Sequence, residues 1–285
     1  MAPNVLIFGA TGGVGSFTTL AAHALGANIT LAMRDTSKPI PNLPSSLSTS
    51  LPRVHADLTD PTSIHTAVTT SHATAAFIYC AFGAPDHMRG AITALKAAGV
   101  ELVVFLSSSS IKGDVRAVPP SDFIPWQHAQ VEIVLEEVFG PAGYVAVRPG
   151  YFASNLLVHA KRVAKGEVVT MPYPEAEFDY VVPGDIGRLV AQREVVRAMG
   201  KAVGKEVTIE GFTEEEDAVK FVVENLGLPE LAAKQLVKGF RAVAEGLDVF
   251  EKTEYEEAVA NIEKYGGKKA TTVYEWVEEN KDKFV

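Results

Sequence analysis

Short apolar runs with no polar alternation inside them recur through the first half of the chain, separated by longer segments of helical spacing. Asn4 to Phe8 is β-rich throughout, the pattern of a strand buried on both faces. A glycine-rich turn follows, and Val14 to Leu25 then reads as a helix closed by Gly26. Further strands are expected at Asn28–Met33, Val54–Ala56, Ala75–Cys80, Leu102–Leu106 and Tyr144–Val147. Helices are expected from near Pro61, over Pro85–Ala98 with Gly99 as terminator, and over Gln127–Val138. Asp35 to Pro52 is rich in proline and serine and reads as a surface loop. Strands spaced by helices pair in parallel through right-handed crossovers. The expected fold class is therefore α/β, with an open, doubly wound parallel sheet.

After about Arg148 the segments become more helical and more acidic. Thr213-x-x-Glu216 and Thr272-x-x-Glu275 have the spacing of capping boxes, the second leading into a helix over Val273–Lys281. Asp185, after Pro183-Gly184, reads as the cap of another helix. No internal repeat or low-complexity tract breaks the chain.

Composition narrows the function classes. The 285 residues carry 35 acidic and 26 basic side chains, a formal net charge of -9. A nucleic-acid binder needs a basic face to displace counterions, so no direct nucleic-acid partner is expected. No apolar stretch is long enough to span a membrane, and the N-terminus lacks the basic and apolar regions of a signal peptide. The lone cysteine, Cys80, excludes an intramolecular disulfide and any CxxC motif. A cytoplasmic location is the expectation. The seven histidines show no metal-ligand spacing, so no metal is expected, and no G-x-S-x-G elbow points to a hydrolase.

The chemistry starts at Gly9-Ala10-Thr11-Gly12-Gly13-Val14-Gly15, between the first strand and the first helix. One glycine allows a tight turn, another lets backbone approach a pyrophosphate, and a third lets helix and strand pack closely. The helix N-terminus then offers N–H groups to phosphate. The spacing is G-x-x-G-x-x-G rather than the G-x-G-x-x-G of common dehydrogenases, and no Gly-Lys-Ser/Thr follows to make a P-loop. In this strand–turn–helix context Gly9, Thr11, Gly12, Gly13, Val14 and Gly15 are expected to cradle a dinucleotide in a Rossmann-type unit over residues 1–147. Residues 148–285 are then a smaller, mostly helical substrate lobe.

The second strand ends in Met33-Arg34-Asp35-Thr36-Ser37-Lys38. An acidic residue here holds the ribose hydroxyl of NAD, whereas an arginine accommodates the 2′-phosphate of NADP. Arg34 comes first and Lys38 adds a second cation, which favours NADP(H). Asp57, after the third strand, either accepts from the adenine amine or caps its own turn.

Taken together, these motifs resemble the NmrA-like branch of the atypical short-chain dehydrogenases. Gly9 to Gly15, Arg34-Asp35, Asp57-Leu58, Ala97-Ala98-Gly99-Val100 and Ser107 to Ser109 carry the first part of the match. Val131-Glu132, Val147-Arg148-Pro149-Gly150-Tyr151-Phe152-x-x-Asn155, Tyr180-Val181-Val182-x-x-Asp185-Ile186-Gly187 and Tyr274-Glu275-Trp276-Val277 continue it. The resemblance implies a Rossmann fold and NADP(H), with further cofactor contacts from Ala81, Phe82, Ser107, Ser108, Pro149 and Gly150. It leaves the chemistry open. Such proteins include NADPH-dependent reductases of quinones, imines and activated double bonds, isoflavone-reductase-like enzymes, and redox-sensing regulators that bind NADP without turning it over.

One departure bears on mechanism. Typical short-chain dehydrogenases carry a Tyr-x-x-x-Lys pair on the helix after the fifth strand. By the spacing to Glu132, the lysine position here is His128 and the tyrosine position is Ile124. His128 either donates a proton or holds the nicotinamide ribose. Tyr151 is a second candidate acid. Ser109, Trp126, Phe152 and Asn155 are candidate substrate contacts, and Phe82, Trp126, Tyr151 and Phe152 a candidate aromatic wall for a flat organic substrate. The leading expectation is an NADPH-dependent reductase of a small, largely apolar carbonyl, imine or activated alkene. The alternatives are a non-catalytic NADP sensor that presents its C-terminal lobe to a protein partner, and a cofactor-retaining isomerase or epimerase.

Overall fold

Along the first strand, β1 (Asn4–Phe8), Leu6, Ile7 and Phe8 are all at most 2% exposed. Their side chains alternate between two cores. Leu6 and Phe8 join the cluster that contains Ile64, Ile92, Leu95, Val131 and Leu135, while Ile7 joins Ile29, Leu31, Met33 and Phe77. A strand covered on both faces needs apolar residues at every position, which is why the sequence shows no alternation there. Each such side chain contributes about 1.5–3 kcal/mol by leaving water.

The computed structural model describes residues 2–40, 42–182, 185–245, 260, 262–264 and 269–284. The chain divides into two compact units, Met1–Arg148 and Pro149–Val285.

In the first unit β1 is central to a six-stranded sheet with β2 (Asn28–Met33), β3 (Arg53–His55), β4 (Ala75–Tyr79), β5 (Leu102–Leu106) and β6 (Tyr144–Val147), in the order β3-β2-β1-β4-β5-β6. Every pairing is parallel, with Val5 beside Ile29 on one side and Ala75 on the other. The order reverses next to β1, and in such sheets ligands bind at the carboxyl ends of the strands flanking that point.

The helices are α1 (Gly13–Ala24), α2 (Ser45–Ser50), α3 (Pro61–Ser71), α4 (Arg89–Ala97) and α5 (Phe123–Phe139). Helix α3 starts where Pro61 predicts, with the Asp60 carboxylate accepting from the Thr62 amide. In this unit three differences from the sequence reading exceed a single residue. The expected loop 35–52 contains α2. Helix α4 begins at Arg89 rather than Pro85, because His87 and Met88 are left-handed (φ 51° and 64°) and the Asp86 carboxylate caps the helix through the Met88 and Gly90 amides. Helix α5 begins at Phe123, so Pro125 lies in its first turn, where a missing N–H costs nothing.

Cys80, at the end of β4, is 7% exposed within the larger core, and burial pushes its thiol up to about 12.

The second unit is helical, with α6 (Ala160–Lys165), α7 (Gln192–Ala202), α8 (Glu215–Leu226), α9 (Glu230–Ala244) and α10 (Val273–Glu279). It also holds two small sheets that the sequence reading lacks. Strands β7 (Tyr151–Phe152), β9 (Glu177–Val182) and β10 (Asp185–Ala191) form one, and β8 (Val169–Met171) with β11 (Ile209–Gly211) forms the other. Asp185 therefore opens a strand, not a helix. The Thr272–Glu275 capping box is formed in full. The Thr213–Glu216 box is not: α8 starts at Glu215 with Glu214 as its extended cap residue, one position too late for Thr213 to reach the third amide. The core of this unit gathers Met171, Tyr180, Val195, Val196, Met199, Trp276 and Phe284.

Among the described residues no helix is long and apolar enough to cross a membrane. None of their His, Cys, Asp and Glu side chains form a group placed to hold a metal ion.

Candidate functional site

The turn after β1 is closed by the Gly12 amide on the Gly9 carbonyl at 2.9 Å. Gly9 is left-handed (φ +72°), and a Cβ there would sit 2.9 Å from the Tyr79 ring. A Cβ on Gly15 would lie 2.2 Å from the Gly9 oxygen, so strand and helix approach closely only because Gly15 has none. A Cβ on Gly12 would meet only that oxygen, at 3.4 Å, and Gly12 has ordinary extended backbone (φ -88°, ψ 164°). Gly12 caps α1 without a side-chain hydrogen bond, which leaves first-turn N–H groups at the mouth of the turn, beside Thr11, Gly13 and Val14. A turn of this shape fits a pyrophosphate.

At the end of β2, Arg34, Asp35 and Lys38 are all exposed. The Asp35 carboxylate folds back on its own turn: Oδ1 accepts from the Ser37 hydroxyl at 2.6 Å and from its amide at 3.0 Å. Those bonds hold its carboxyl below the usual range. Asp57 is similarly engaged, accepting from the Thr59 amide and hydroxyl, both at 2.8 Å, and its carboxyl is lowered by them. Of the two roles left open for Asp57, capping its turn is formed here. Tyr79 completes this end of the sheet. Burial raises its phenol pKa, with the charges of Arg34 and Asp57 acting on it in opposite senses.

At the ends of β4 and β5 an aromatic group surrounds the start of α5. Ala81 donates its amide to the Met88 sulfur at 3.3 Å. The Phe82 ring stacks on Phe123 at 6.2 Å and meets His128 edge-on at 5.3 Å, while His87 meets Trp126 edge-on at 4.9 Å. His128 is 8% exposed. Its Nδ1 is 2.9 Å from the Ile124 carbonyl. A carbonyl only accepts, so Nδ1 carries the proton and Nε2 of the neutral ring presents a lone pair. Burial lowers the His128 pKa, partly offset by that carbonyl and by Glu132.

One turn along α5, Glu132 is 3% exposed. It accepts from the Ser107 hydroxyl at 2.5 Å and from Arg148 through Nε at 2.9 Å and Nη2 at 2.6 Å. Ser107 is thereby held by a carboxylate. Ser108 pairs with the Ser110 hydroxyl at 2.8 Å, and Ser109 is partly buried beside it.

In the second unit Pro149 and Gly150 lead into β7. Tyr151 packs edge-on against Tyr180 and Phe240. Burial raises its phenol far above the ordinary range, and a hydrogen bond with the Asn155 side chain works the other way. Phe152 follows in β7 and is partly buried. Tyr151 and Asn155 line a cavity of about 10 Å³ with His159, Phe221 and Phe240, room for one water molecule.

The sequence profile of the NmrA-like family matches residues 1–193. This chain belongs to the NmrA-like family. It is 39% identical to the nitrogen metabolite regulation-like protein bik4 of Gibberella fujikuroi, over 96% of this chain and 95% of that one. Among solved structures it is similar to the NADPH-dependent quinone oxidoreductase QOR2 of Escherichia coli, determined with NADPH. The TM-score is 0.70 at 19% identity, over 96% of this chain and 99% of that one. It is also similar to leucoanthocyanidin reductase of Vitis vinifera (TM-score 0.62, 13% identity, 98% and 99% of the two chains). At these identities the two structures speak to the fold, which they share with this NmrA-like chain.

Within the family frame, sequence reasoning had missed four residues near the expected site: Tyr79, His87, Phe123 and, in the loop after β2, the partner of its carbonyls, Arg53. None carries a local motif. Each is placed by strand pairing or by a ring contact between the loop before α4 and the start of α5.

Proposed function

We propose that this NmrA-like protein is an NADPH-dependent oxidoreductase that reduces a small, largely apolar carbonyl, imine or activated alkene. Residues 1–147 act as its cofactor domain and 148–285 as its substrate lobe. The observation that carries the reading is the Gly9–Gly15 turn, shut so closely that Gly15 has no room for a Cβ. Two further features agree with it. Asp35, the residue that would select NAD, spends an oxygen on Ser37, and Arg34 and Lys38 remain exposed for a 2′-phosphate. The NADPH in the similar quinone oxidoreductase supports the same choice.

NADPH, when bound, supplies the hydride. The turn binds and orients. With its Nδ1 proton on Ile124, neutral His128 accepts a hydrogen bond through Nε2, which suits a ribose hydroxyl better than proton donation. The proton that completes reduction then comes from water. Phe82, Phe123 and Trp126 suit a flat apolar substrate. Purified protein should oxidise NADPH with at least one member of a panel of quinones, enones and imines.

The second reading, a non-catalytic NADP sensor that binds a protein partner, is favoured by Ile124 and His128 standing where a tyrosine and lysine would act, and by the regulatory name of the Gibberella relative. NADPH binding without oxidation across the panel selects it.

A further inference from the structure

We infer that Arg53 is a positioning residue that sets the preference for a 2′-phosphorylated dinucleotide, an inference that rests on the NADP(H) reading above. Arg53 opens β3 opposite Leu31 of β2 and is partly buried. Its Nη1 donates to the carbonyls of Thr36 and Lys38, each at 2.8 Å. Its Nη2 donates to the Ser48 carbonyl and hydroxyl, each at 3.1 Å. One guanidinium thus ties the loop that carries Arg34 and Lys38 to helix α2. The loop is fixed at two other points, by the Asp35–Ser37 turn and by Ile40, which is 5% exposed in the core around Leu31.

This clamp has a physical consequence for anion binding. Two long cations on a mobile loop pay conformational entropy when they close on a phosphate, and a loop already fixed pays less. The carbonyls of Thr36 and Lys38 would repel an anion, and Arg53 turns both onto itself. A lysine keeps the charge but cannot fork across two carbonyls and Ser48 at once. The inference therefore separates shape from charge.

The experiment measures calorimetric affinities for ADP-ribose 2′-phosphate and for ADP-ribose. The proteins are wild type, Arg34→Ala, Arg53→Met and Arg53→Lys, with a thermal melt for each. Both Arg53 variants should weaken the 2′-phosphorylated ligand by about tenfold and leave ADP-ribose within about twofold. Trypsin should also cut after Arg34 faster in the variants. If Arg53→Lys keeps the wild-type preference, or if both ligands weaken equally, Arg53 does not position the loop and the inference falls. The NADP(H) reading fails separately, if wild type binds the two ligands alike or if Arg34→Ala leaves the preference intact. A wild-type preference that Arg34→Ala removes and the Arg53 variants retain overturns this inference alone.

Discussion

Arg148 grips Glu132 with two nitrogens, Nε at 2.9 Å from Oε1 and Nη2 at 2.6 Å from Oε2, and so fastens the end of β6 to the middle of α5. Glu132 is 3% exposed and also takes the Ser107 hydroxyl. Removing one partner of a buried pair leaves a charge without compensation, at a cost of about 3–5 kcal/mol. Because the Arg148 side chain is 34% exposed, the lower end of that range applies. Arg148→Met should therefore lower urea stability by about 3 kcal/mol. Adding Glu132→Leu together with Ser107→Ala, which removes the hydroxyl that Glu132 holds, should restore most of it, and no recovery in that variant would show that the pair is not what Arg148 contributes.

The two glycines of the turn should behave differently. Gly15→Ala drives a Cβ against the Gly9 carbonyl, so the protein should be strongly destabilised or fail to fold. A Cβ on Gly12 meets nothing nearer than the Gly9 oxygen at 3.4 Å, so Gly12→Val should fold, while its side chain fills the space a pyrophosphate needs. NADPH at a hundredfold excess over Kd should stabilise wild type by about 2.7 kcal/mol. The Gly12→Val melt should not move with NADPH; a wild-type shift in that variant would take the pyrophosphate away from this turn.

Acid and acceptor roles for His128 predict opposite pH limbs. Burial lowers its pKa from 6.5, so the ring is neutral at pH 7 and above. As an acceptor it should give NADPH affinity that is flat above pH 7 and weakens only on acidification through the lowered His128 pKa, when Nε2 takes a proton. His128→Leu should weaken NADPH by about tenfold and lose that limb, and His128→Gln, which keeps an acceptor oxygen, should fall between. A turnover rate that instead declines as pH rises through the lowered His128 pKa, with the limb absent in His128→Gln, would make His128 the proton donor.

His159 makes the second unit sensitive to acid. It is 3% exposed, and burial with the nearby Arg162 holds its imidazole down to about 4. Its unfolded value is about 6.5, so between these values the unfolded chain binds the extra proton. The contribution is complete above pH 6.5 and is lost as pH falls toward 4, amounting to about 3 kcal/mol. Urea titrations at neutral and acid pH should show this loss in wild type and a smaller one in His159→Phe. Equal losses would place the acid sensitivity elsewhere.

Legibility in the sequence followed the physics of burial. Strands β1, β2 and β5 have the boundaries their apolar runs predict, because burial on both faces leaves a continuous signal; the edge strand β6 matches its run as well, although Val145 and Val147 are exposed. Strands β7, β8 and β11 of the second unit span only two or three residues, too short for any period to show. The left-handed His87-Met88 pair delays α4, and neither residue type announces that conformation. At the site, the glycine turn was legible from its context. Between Arg34 and Asp35 the order of Arg34 and the added Lys38 favoured NADP(H), and Asp35-Thr36-Ser37 held a further signal, since it has the spacing of a side-chain-to-backbone turn. Tyr79 and Arg53 were beyond reach, since strand pairing brings them to Gly9 and to Thr36.

The state of Cys80 constrains how this chain could respond to oxidative stress. Peroxides attack thiolates, and a thiol held near 12 inside the core offers almost none at neutral pH. Burial thus disfavours sulfenylation of Cys80, and since these 285 residues contain no other cysteine, an intramolecular disulfide switch is closed to them. On the NADP(H) reading, oxidant would reach this protein second-hand, as a shift in the balance of reduced to oxidised nucleotide.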